Sequence, residues 1–359
     1  MRYPTSAALM LGASAMLALP AAMAAERVQV VTSFSILADM VQNVGGEHVE
    51  VTSLVGPDSD THVFSPSPRD ARSLAEAGLV VFNGLRFEGW MERLIDSSDY
   101  AGALVTASDG IVKLDYQGHD HAHAHGHDDH EDDHDDHGHG DHDEHGHDDH
   151  DAHGQETAAG HDDHGDDDPH GWQDLAMGKV YVGNIRDGLI EADPDNEAAY
   201  RENAERYINE LEATDAEIRE LLGEVPGSTS VITGHDSFGY FASAYGIRFL
   251  SPVGLSTEAE PSAADMARLI DVIREQNVRA LFHENMTSPA VINQLAEETG
   301  LPIAGTLYAD ALASEGEAST YLGMMRHNAQ VLHDALAKAG HDDREGDDDH
   351  GHDDHGHDH

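Results

Sequence analysis

The sequence predicts an α/β protein with two lobes, each built around a parallel β-sheet. Short β-branched or apolar runs alternate with helix-length segments over residues 27–106, and the same alternation returns over residues 229–339. A long segment with helical periodicity lies between the two patterns. Strands that alternate with helices of this length favour parallel sheets with helical connections.

The first pattern contains four predicted strands and two predicted helices. The second helix has the clearer start, because Ser67 suits the N-cap and Pro68 suits the first helical position. Gly45-Gly46 ends the first helix and Gly78 ends the second. The predicted strands are 27–32, 49–55, 79–82 and 104–106, and the predicted helices are 34–44 and 68–77.

The segment between the patterns predicts the longest helix of the chain. Asp193-Pro194-Asp195 is a typical helix start. The apolar residues after it keep helical spacing, namely Ala204, Ile208, Leu211, Ile218 and Leu222. Because this helix joins two α/β patterns, we interpret it as a rigid connector rather than a flexible linker.

The second pattern contains four predicted strands and four predicted helices. Ser262 is a predicted N-cap, and Gly246, Gly300 and Gly340 end helices. The predicted strands are 231–233, 248–250, 278–282 and 302–307, and the predicted helices are 238–244, 262–276, 288–299 and 319–339. The predicted boundaries are 26–178 for the N-terminal lobe, 179–227 for the connecting helical segment and 228–340 for the C-terminal lobe.

Residues 1–25 predict a cleavable secretory signal. Arg2 precedes an apolar run over 7–19, and Ala22-Met23-Ala24-Ala25 provides the small residues of a cleavage site. The apolar run is too short to span a membrane. We therefore expect an exported protein, for which the periplasm is the simplest compartment.

The composition limits both the chemistry and the partners. The chain has no Cys, which excludes disulfides, thiolate metal ligands and lipid attachment to a Cys near the predicted cleavage site. It has 70 acidic residues and 19 Lys and Arg residues. Such a negative charge argues against nucleic acid and anionic lipid as partners, and it suits a cationic ligand.

Two tracts rich in His and Asp interrupt the α/β organisation. The first lies within 115–167 and has 16 of the 29 histidines, and the second, 341–359, has six. Both have almost no apolar side chains to offset the entropy of ordering, so we predict that they are disordered. Neutral His alternating with Asp predicts several weak zinc sites. The tracts gather zinc, sense or buffer its concentration, or serve only as solvated loops, and the sequence leaves these alternatives open.

Four of the seven histidines outside the tracts have ordinary structural interpretations. His327 and His333 lie in the last predicted helix, and His48 lies near a turn, so we interpret them as surface or helix-end residues. His283 lies in an apolar strand, where a core residue with satisfied hydrogen bonds is expected.

The other three histidines, His62, His170 and His235, lie in loops at or before helix starts. Asp310 follows a predicted strand in the same way. In open α/β sheets, ligand-binding groups come from loops at the carboxyl ends of strands. Three imidazoles and one carboxylate form a four-coordinate set that suits Zn²⁺. Spacing alone does not separate this interpretation from four ordinary polar loop residues.

Five segments occur in the order found in one family. They are Gly56-Pro57-Asp58-Ser59-Asp60-Thr61-His62-Val63-Phe64-Ser65-Pro66, Asp168-Pro169-His170-Gly171-Trp172, Asp193-Pro194-Asp195-Asn196, Gly234-His235-Asp236-Ser237-Phe238-Gly239-Tyr240-Phe241 and Leu307-Tyr308-Ala309-Asp310. With them the chain resembles, over 27–339, the zinc- and manganese-binding solute-binding proteins of ABC importers. The resemblance implies two Rossmann-like lobes joined by a long backbone helix. It also implies one metal ion between the lobes, held by His62, His170, His235 and Asp310.

The resemblance further implies a protein that captures Zn²⁺ and delivers it to an inner-membrane ABC permease. Manganese-binding members usually have a carboxylate at the third ligand position, where this chain has His235, so Zn²⁺ is favoured over Mn²⁺. A manganese-binding homologue and a periplasmic zinc store or sensor are the alternatives. We expect a monomer, and loading by a periplasmic zinc metallochaperone stays open.

A zinc hydrolase is the competing enzyme class. A catalytic zinc ion needs an open coordination position for water, whereas three histidines and one aspartate fill all four positions. No predicted helix contains a His-Glu-x-x-His motif. We therefore predict that the protein is not an enzyme.

Overall fold

The computed structural model describes residues 27–116, 167–227 and 229–337. These residues form two four-stranded sheets, and every neighbouring pair of strands is parallel. The strands are β1 (Val28–Thr32), β2 (Val49–Ser53), β3 (Leu79–Phe82), β4 (Ala103–Thr106), β5 (Ser230–Ile232), β6 (Arg248–Leu250), β7 (Val278–Glu284) and β8 (Ile303–Leu307). The order is β2-β1-β3-β4 in one sheet and β6-β5-β7-β8 in the other. The predicted fold class, two α/β lobes with parallel sheets, is therefore confirmed.

The helices lie between and around these strands. Over the described residues they are α1 (Ser35–Gly45), α2 (Pro68–Ala75), α3 (Met91–Ser98), α4 (Leu175–Ala192), α5 (Glu197–Leu222), α6 (Gly239–Tyr245), α7 (Ala263–Glu275), α8 (Ala290–Thr299) and α9 (Tyr321–Leu336). Ser67 and Ser262 cap α2 and α7, each in a reciprocal capping box. In the part of the chain that the structure describes, no helix is long and apolar enough to cross a membrane.

Two helices, α3 and α4, were not recognised in the sequence. α3 has eight residues and ends at Asp99, in the left-handed conformation that usually favours glycine. α4 contains Gly178, Gly183 and Gly188, which lower its intrinsic helix propensity. Buried side chains such as Tyr181 stabilise α4 through tertiary packing instead. Local pattern was therefore a poor guide to both helices.

The 26-residue helix α5 contacts both halves of the molecule. It packs on α1 and α4, which cover the first sheet, and on α9, which packs on the second. One contiguous core extends from the first sheet past α5 to the second, and a smaller core lies beneath α7 and α8. The connecting helix predicted from the sequence is thus part of the packed core. The boundaries at 178 and 227 stay a prediction.

Two glycines of α4 offer a test of this packing. A Cβ at Gly188 would clash with the Val105 side chain on β4, whereas a Cβ at Gly183 would meet no atom within 4 Å. We expect Gly188→Ala to lower the free energy of unfolding by about 1–3 kcal/mol through overpacking. Gly183→Ala should raise it by about 0.5–1 kcal/mol, because alanine loses less backbone entropy in a helix. Urea denaturation of both variants checks this, and an equal effect of the two substitutions would contradict the close approach of α4 to β4.

Candidate metal site

The structure brings the four predicted site residues together. His62 follows β2, His170 precedes α4, His235 follows β5 and Asp310 follows β8. One potential ligand atom from each residue lies within 4.8 Å of the others. All four side chains are buried, and His62, at 6% exposed, is the most accessible.

The carboxylate of Asp310 lies at the centre of the group. Its Oδ2 atom lies 3.0 Å from Nε2 of His235 and 3.3 Å from Nε2 of His62. Its Oδ1 atom lies 3.6 Å from Nε2 of His170. The three rings therefore present the same nitrogen, Nε2, to one carboxylate.

The inward-facing atoms have no hydrogen-bond partner of suitable geometry. This holds for Nε2 of His62, His170 and His235 and for both carboxylate oxygens of Asp310. Buried polar atoms are normally paired, because an unpaired one loses its hydration without compensation. Five such atoms around one point fit a cation with nitrogen and oxygen ligands.

Two carboxylates behind the rings determine which nitrogen of each ring carries the proton. Nδ1 of His170 lies 2.8 Å from Oδ1 of Asp168, and Nδ1 of His235 lies 2.7 Å from Oε2 of Glu284. An ionised carboxylate only accepts hydrogen bonds, so Nδ1 is the donor in each pair. In the neutral ring, Nε2 then has a free lone pair that faces Asp310.

Charges shift the pKa values of His235 and Asp310 in opposite directions. Burial by itself lowers the pKa of His235, but Glu284 and Asp310 outweigh it and raise that pKa well above its ordinary value. Burial by itself raises the pKa of Asp310, but His235 and His170 hold it well below its ordinary value. Both shifts favour the charged forms of the two groups, and a metal ion that binds Nε2 of His235 competes with a proton for that atom.

The same local turn positions two of the histidines. Oδ1 of Asp60 accepts the backbone N–H of His62 at 2.9 Å, and Oδ1 of Asp168 accepts that of His170 at 2.9 Å. An aspartate that bonds the backbone two residues later makes an Asx turn, which holds the short loop in shape. These two turns place histidines at defined positions without any regular secondary structure.

The two tryptophans of the chain hold the backbone beside two of the site residues. The indole N–H of Trp90 donates to the carbonyl of Thr61 at 2.8 Å, and that of Trp172 donates to Ala309 at 2.9 Å. Thr61 precedes His62, and Ala309 precedes Asp310. Each buried indole therefore restrains a peptide adjacent to a site residue.

Aromatic rings pack against two of the site histidines, and a cavity borders one of them. Phe87 packs edge-on against His62, with ring centroids 4.8 Å apart, and Trp172 lies 5.3 Å from His170. A cavity of about 510 Å³ is lined by His62, Phe87 and Pro169. An ion could therefore approach His62 through this cavity.

Hydrogen bonds between the lobes connect the loop that carries His62 to the second lobe. Asp58 accepts hydrogen bonds from the side chain of Asn285 and the backbone of Ser314, both at 3.0 Å. Asp60 accepts one from the hydroxyl of Thr257 at 2.7 Å. The loop that carries His62 is thus anchored to the lobe that carries His235.

The remaining histidines of the described residues lie outside this group. His283 is half-buried and hydrogen-bonds Asn293 at 3.0 Å, and His333 lies 3.1 Å from Glu224. The predicted zinc-binding tract and tail lie outside the described residues, except for the ends of the first tract. At those ends, the backbones of Asp115 and Asp167 form an isolated antiparallel β-bridge. The Asp167 carboxylate also forms an ion pair with Lys113 at 2.6 Å.

Sequence reasoning missed the roles of Asp168 and Glu284. The Asp-x-His spacing of Asp168 and His170 is a recognisable Asx-turn signal, and it also occurs at Asp60 and His62. Glu284 is the buried last residue of β7, and it was assigned no role from the sequence. An acidic residue at the carboxyl end of an apolar parallel strand was the available signal.

Three relatives are similar in sequence to this chain over most of its length. The Metal ABC transporter substrate-binding lipoprotein SsaB of Streptococcus sanguinis is 27% identical, covering 87% of this chain and 90% of its own. The Manganese-binding lipoprotein MntA of Bacillus subtilis (strain 168) is 29% identical with the same coverage. The Iron-binding protein YfeA of Yersinia pestis is 28% identical and covers 86% of each chain.

Solved structures share the fold. The periplasmic zinc binding protein TroA from Treponema pallidum superposes with a TM-score of 0.70 at 25% identity, covering 86% of this chain and 99% of its own. A Mn-bound periplasmic metal binding protein from Candidatus Liberibacter asiaticus gives 0.66 at 25% identity, with the same coverage. The family model described as "ZnuA: Zinc-uptake complex component A periplasmic" matches residues 30–335. The chain therefore belongs to the ZnuA family and is a metal-binding, substrate-binding protein of an ABC importer, not an enzyme.

Proposed function

We propose that the protein captures Zn²⁺ with His62, His170, His235 and Asp310 and delivers it to the membrane permease of its ABC importer. The observation that carries this proposal is the set of unpaired, buried Nε2 and carboxylate atoms around one point. Three imidazoles and one carboxylate match the four-coordinate preference of Zn²⁺. The set also leaves no protein-defined open position for a catalytic water.

Manganese import is the second candidate, because the relative from Bacillus subtilis is named a manganese-binding protein. Mn²⁺ prefers carboxylate, carbonyl and water oxygens over imidazole nitrogen. Three of the four proposed ligands here are imidazoles. The composition of the site therefore supports zinc as the cargo more than manganese.

Delivery follows from the way both lobes contribute to the site. His62 comes from the first lobe and precedes α5, whereas His235 and Asp310 follow it. A small separation of the lobes would break the Asp58 and Asp60 hydrogen bonds and pull the ligands apart. We propose that docking on the permease favours this open form and thereby releases the ion.

The cellular compartment of this function is proposed from the sequence. We propose export through the signal over residues 1–25 and function in the periplasm. All four proposed ligands belong to one chain, so a monomer can form the complete site. The open cavity at His62 is compatible with loading by free zinc or by a periplasmic metallochaperone.

The test is metal analysis and zinc titration of the mature protein, with and without residues 119–164. We expect one tight zinc ion in both forms, with several weaker ions only in the intact chain. The tract should bind more weakly, because a segment with almost no apolar side chains is expected to lose entropy when it wraps an ion. The weak class should fade as the pH falls through about 6.5, because protonated imidazole cannot bind metal.

A variant whose tract is replaced by a Gly/Ser segment of equal length is the control for chain length. If the deletion removes nearly all zinc, the protein is a zinc store and the proposed function is wrong. Uptake under chelation then separates zinc collection by the tract from a role as a solvated loop. Slower uptake only at low zinc supports collection, whereas equal uptake at every zinc level reduces the tract to a solvated loop.

A further inference from the structure

The two buried carboxylates behind the histidine rings lie outside the predicted ligand set. We infer that Glu284 and Asp168 are positioning residues, which fix the ring orientation and the Nδ1–H tautomer of His235 and His170 and thereby set the zinc affinity. This inference rests on the proposed function, because it concerns the same ion.

Glu284 holds both the ring and the backbone of the His235 loop. Its Oε2 atom lies 2.7 Å from Nδ1 of His235. Its Oε1 atom accepts the backbone N–H groups of Gly234 and His235, at 3.1 and 3.2 Å. A Cβ at Gly234 would lie 2.8 Å from Oε2, so the carboxylate can approach only because that residue is glycine. Glu284 is 4% exposed, and water therefore does not replace these bonds.

Asp168 holds His170 with a single oxygen atom. Its Oδ1 accepts the backbone N–H of His170 at 2.9 Å and faces Nδ1 of the same residue at 2.8 Å. The ring of His170 is fully buried, and Asp168 is 5% exposed. The two carboxylates thus perform the same task, but Glu284 uses both oxygen atoms and Asp168 uses one.

The consequence for zinc is chemical as well as geometric. A neutral imidazole has one donor and one acceptor nitrogen, so donation from Nδ1 leaves Nε2 as the metal ligand. A carboxylate behind the ring also makes Nε2 more basic and removes the cost of orienting it. Loss of such a partner typically lowers metal affinity about 10- to 100-fold.

Glu284 accepts hydrogen bonds with two oxygen atoms and Asp168 with one, so replacing each carboxylate with its amide should have different effects. In Glu284→Gln, one oxygen becomes an NH₂ group that must face either two backbone N–H groups or Nδ1 of His235. The favourable choice directs the NH₂ group at Nδ1, which moves the ring proton to Nε2 and blocks the ligand. In Asp168→Asn, the remaining carbonyl oxygen can still accept both bonds from His170.

The experiment measures zinc affinity of the full chain by competition with a chelator, so that weak tract sites do not contribute. We expect Glu284→Gln to lower the affinity about 100-fold, and Asp168→Asn to lower it about 10-fold or less. Asp168→Ala, which removes the acceptor of both His170 hydrogen bonds, should bind zinc more weakly than Asp168→Asn. Glu258→Gln, which removes an exposed charge at the rim of the cavity, is the control and should bind like the parent.

Two spectroscopic readouts separate positioning from a general loss of structure. The zinc-saturated parent should show a slowly exchanging Nδ1–H proton resonance for His235, which Glu284→Gln lacks. The Co²⁺ form of the parent should show strong visible absorption of a tetrahedral site, reduced in the same variant. The unfolding midpoints of the zinc-free proteins report whether Glu284→Gln folds. If it does not, the comparison of Asp168→Ala with Asp168→Asn tests the inference instead.

The outcomes distinguish this inference from the proposed function. If the parent binds zinc tightly, His170→Ala does not, and Glu284→Gln binds as tightly as the parent with its His235 resonance retained, the inference is wrong and the proposed function stands. Equal affinities for Asp168→Ala and Asp168→Asn likewise oppose it. If the parent itself has no tight zinc site, both are wrong.

Discussion

Replacing His62 and His235 together with alanine should abolish tight zinc binding. Structural zinc sites contribute about 10–16 kcal/mol, so each of four ligands accounts for roughly 3 kcal/mol, or about a 100-fold change in affinity. The double variant should therefore lose about 10⁴-fold if the two losses add. Water can fill the two vacated positions. Of the four proposed ligands, only His170 and Asp310 then remain.

Chelator competition measures this loss in the full chain, with each single variant beside the double one. His283→Ala is the matched control, because His283 lies on β7 beside Glu284 but bonds Asn293 instead of facing the site. A double variant that binds one zinc ion as tightly as the parent would show that the ion lies elsewhere.

Replacing His235 with glutamate should shift the preference of the site from Zn²⁺ toward Mn²⁺. The change exchanges a nitrogen ligand for carboxylate oxygen, which Mn²⁺ prefers. The structure adds a complication, because Glu284 lies 2.7 Å from Nδ1 of the ring that the new side chain would replace. Two carboxylates at such a distance repel each other, and one of them would hold a proton.

The paired variant His235→Glu/Glu284→Gln removes that repulsion and should show the larger shift. We expect the ratio of Zn²⁺ to Mn²⁺ affinity to fall about 10-fold or more, equivalent to at least 1.4 kcal/mol of relative free energy. Competition between the two ions, measured on both variants and on Glu284→Gln alone, provides the ratio. An unchanged ratio in all three would argue that His235 does not contact the metal.

Most of the strands and capped helices could be predicted from local sequence. The predicted strand 79–82 is β3, and Ser67 and Ser262 cap α2 and α7 as expected. These signals are local, because an N-cap bonds the backbone two or three residues away. α4 could not be predicted in this way, because Gly178 and Gly188 allow close packing on neighbours that lie far away in the sequence.

The residues of the site were predictable for a related reason. Loops at the carboxyl ends of parallel strands point to one edge of each sheet, so a histidine or aspartate at such a position is a binding candidate. His235 and Asp310 follow β5 and β8 in this way, and His62 follows β2. Their position relative to the predicted strands made these residues candidates, and the family resemblance then implied the ligand role.

The sequence by itself determined the two α/β patterns, the long helix between them, the absence of cysteine ligands and the four residues of the candidate site. Only the tertiary structure decided how those residues are held. Glu284 reaches His235 across 49 positions of sequence, and Trp172 reaches Ala309 across 137. Such partners cannot be recognised locally, because a hydrogen bond depends on atoms lying within about 3 Å and in line. Folding brings these buried groups together, and the tautomers of the histidines follow from that contact.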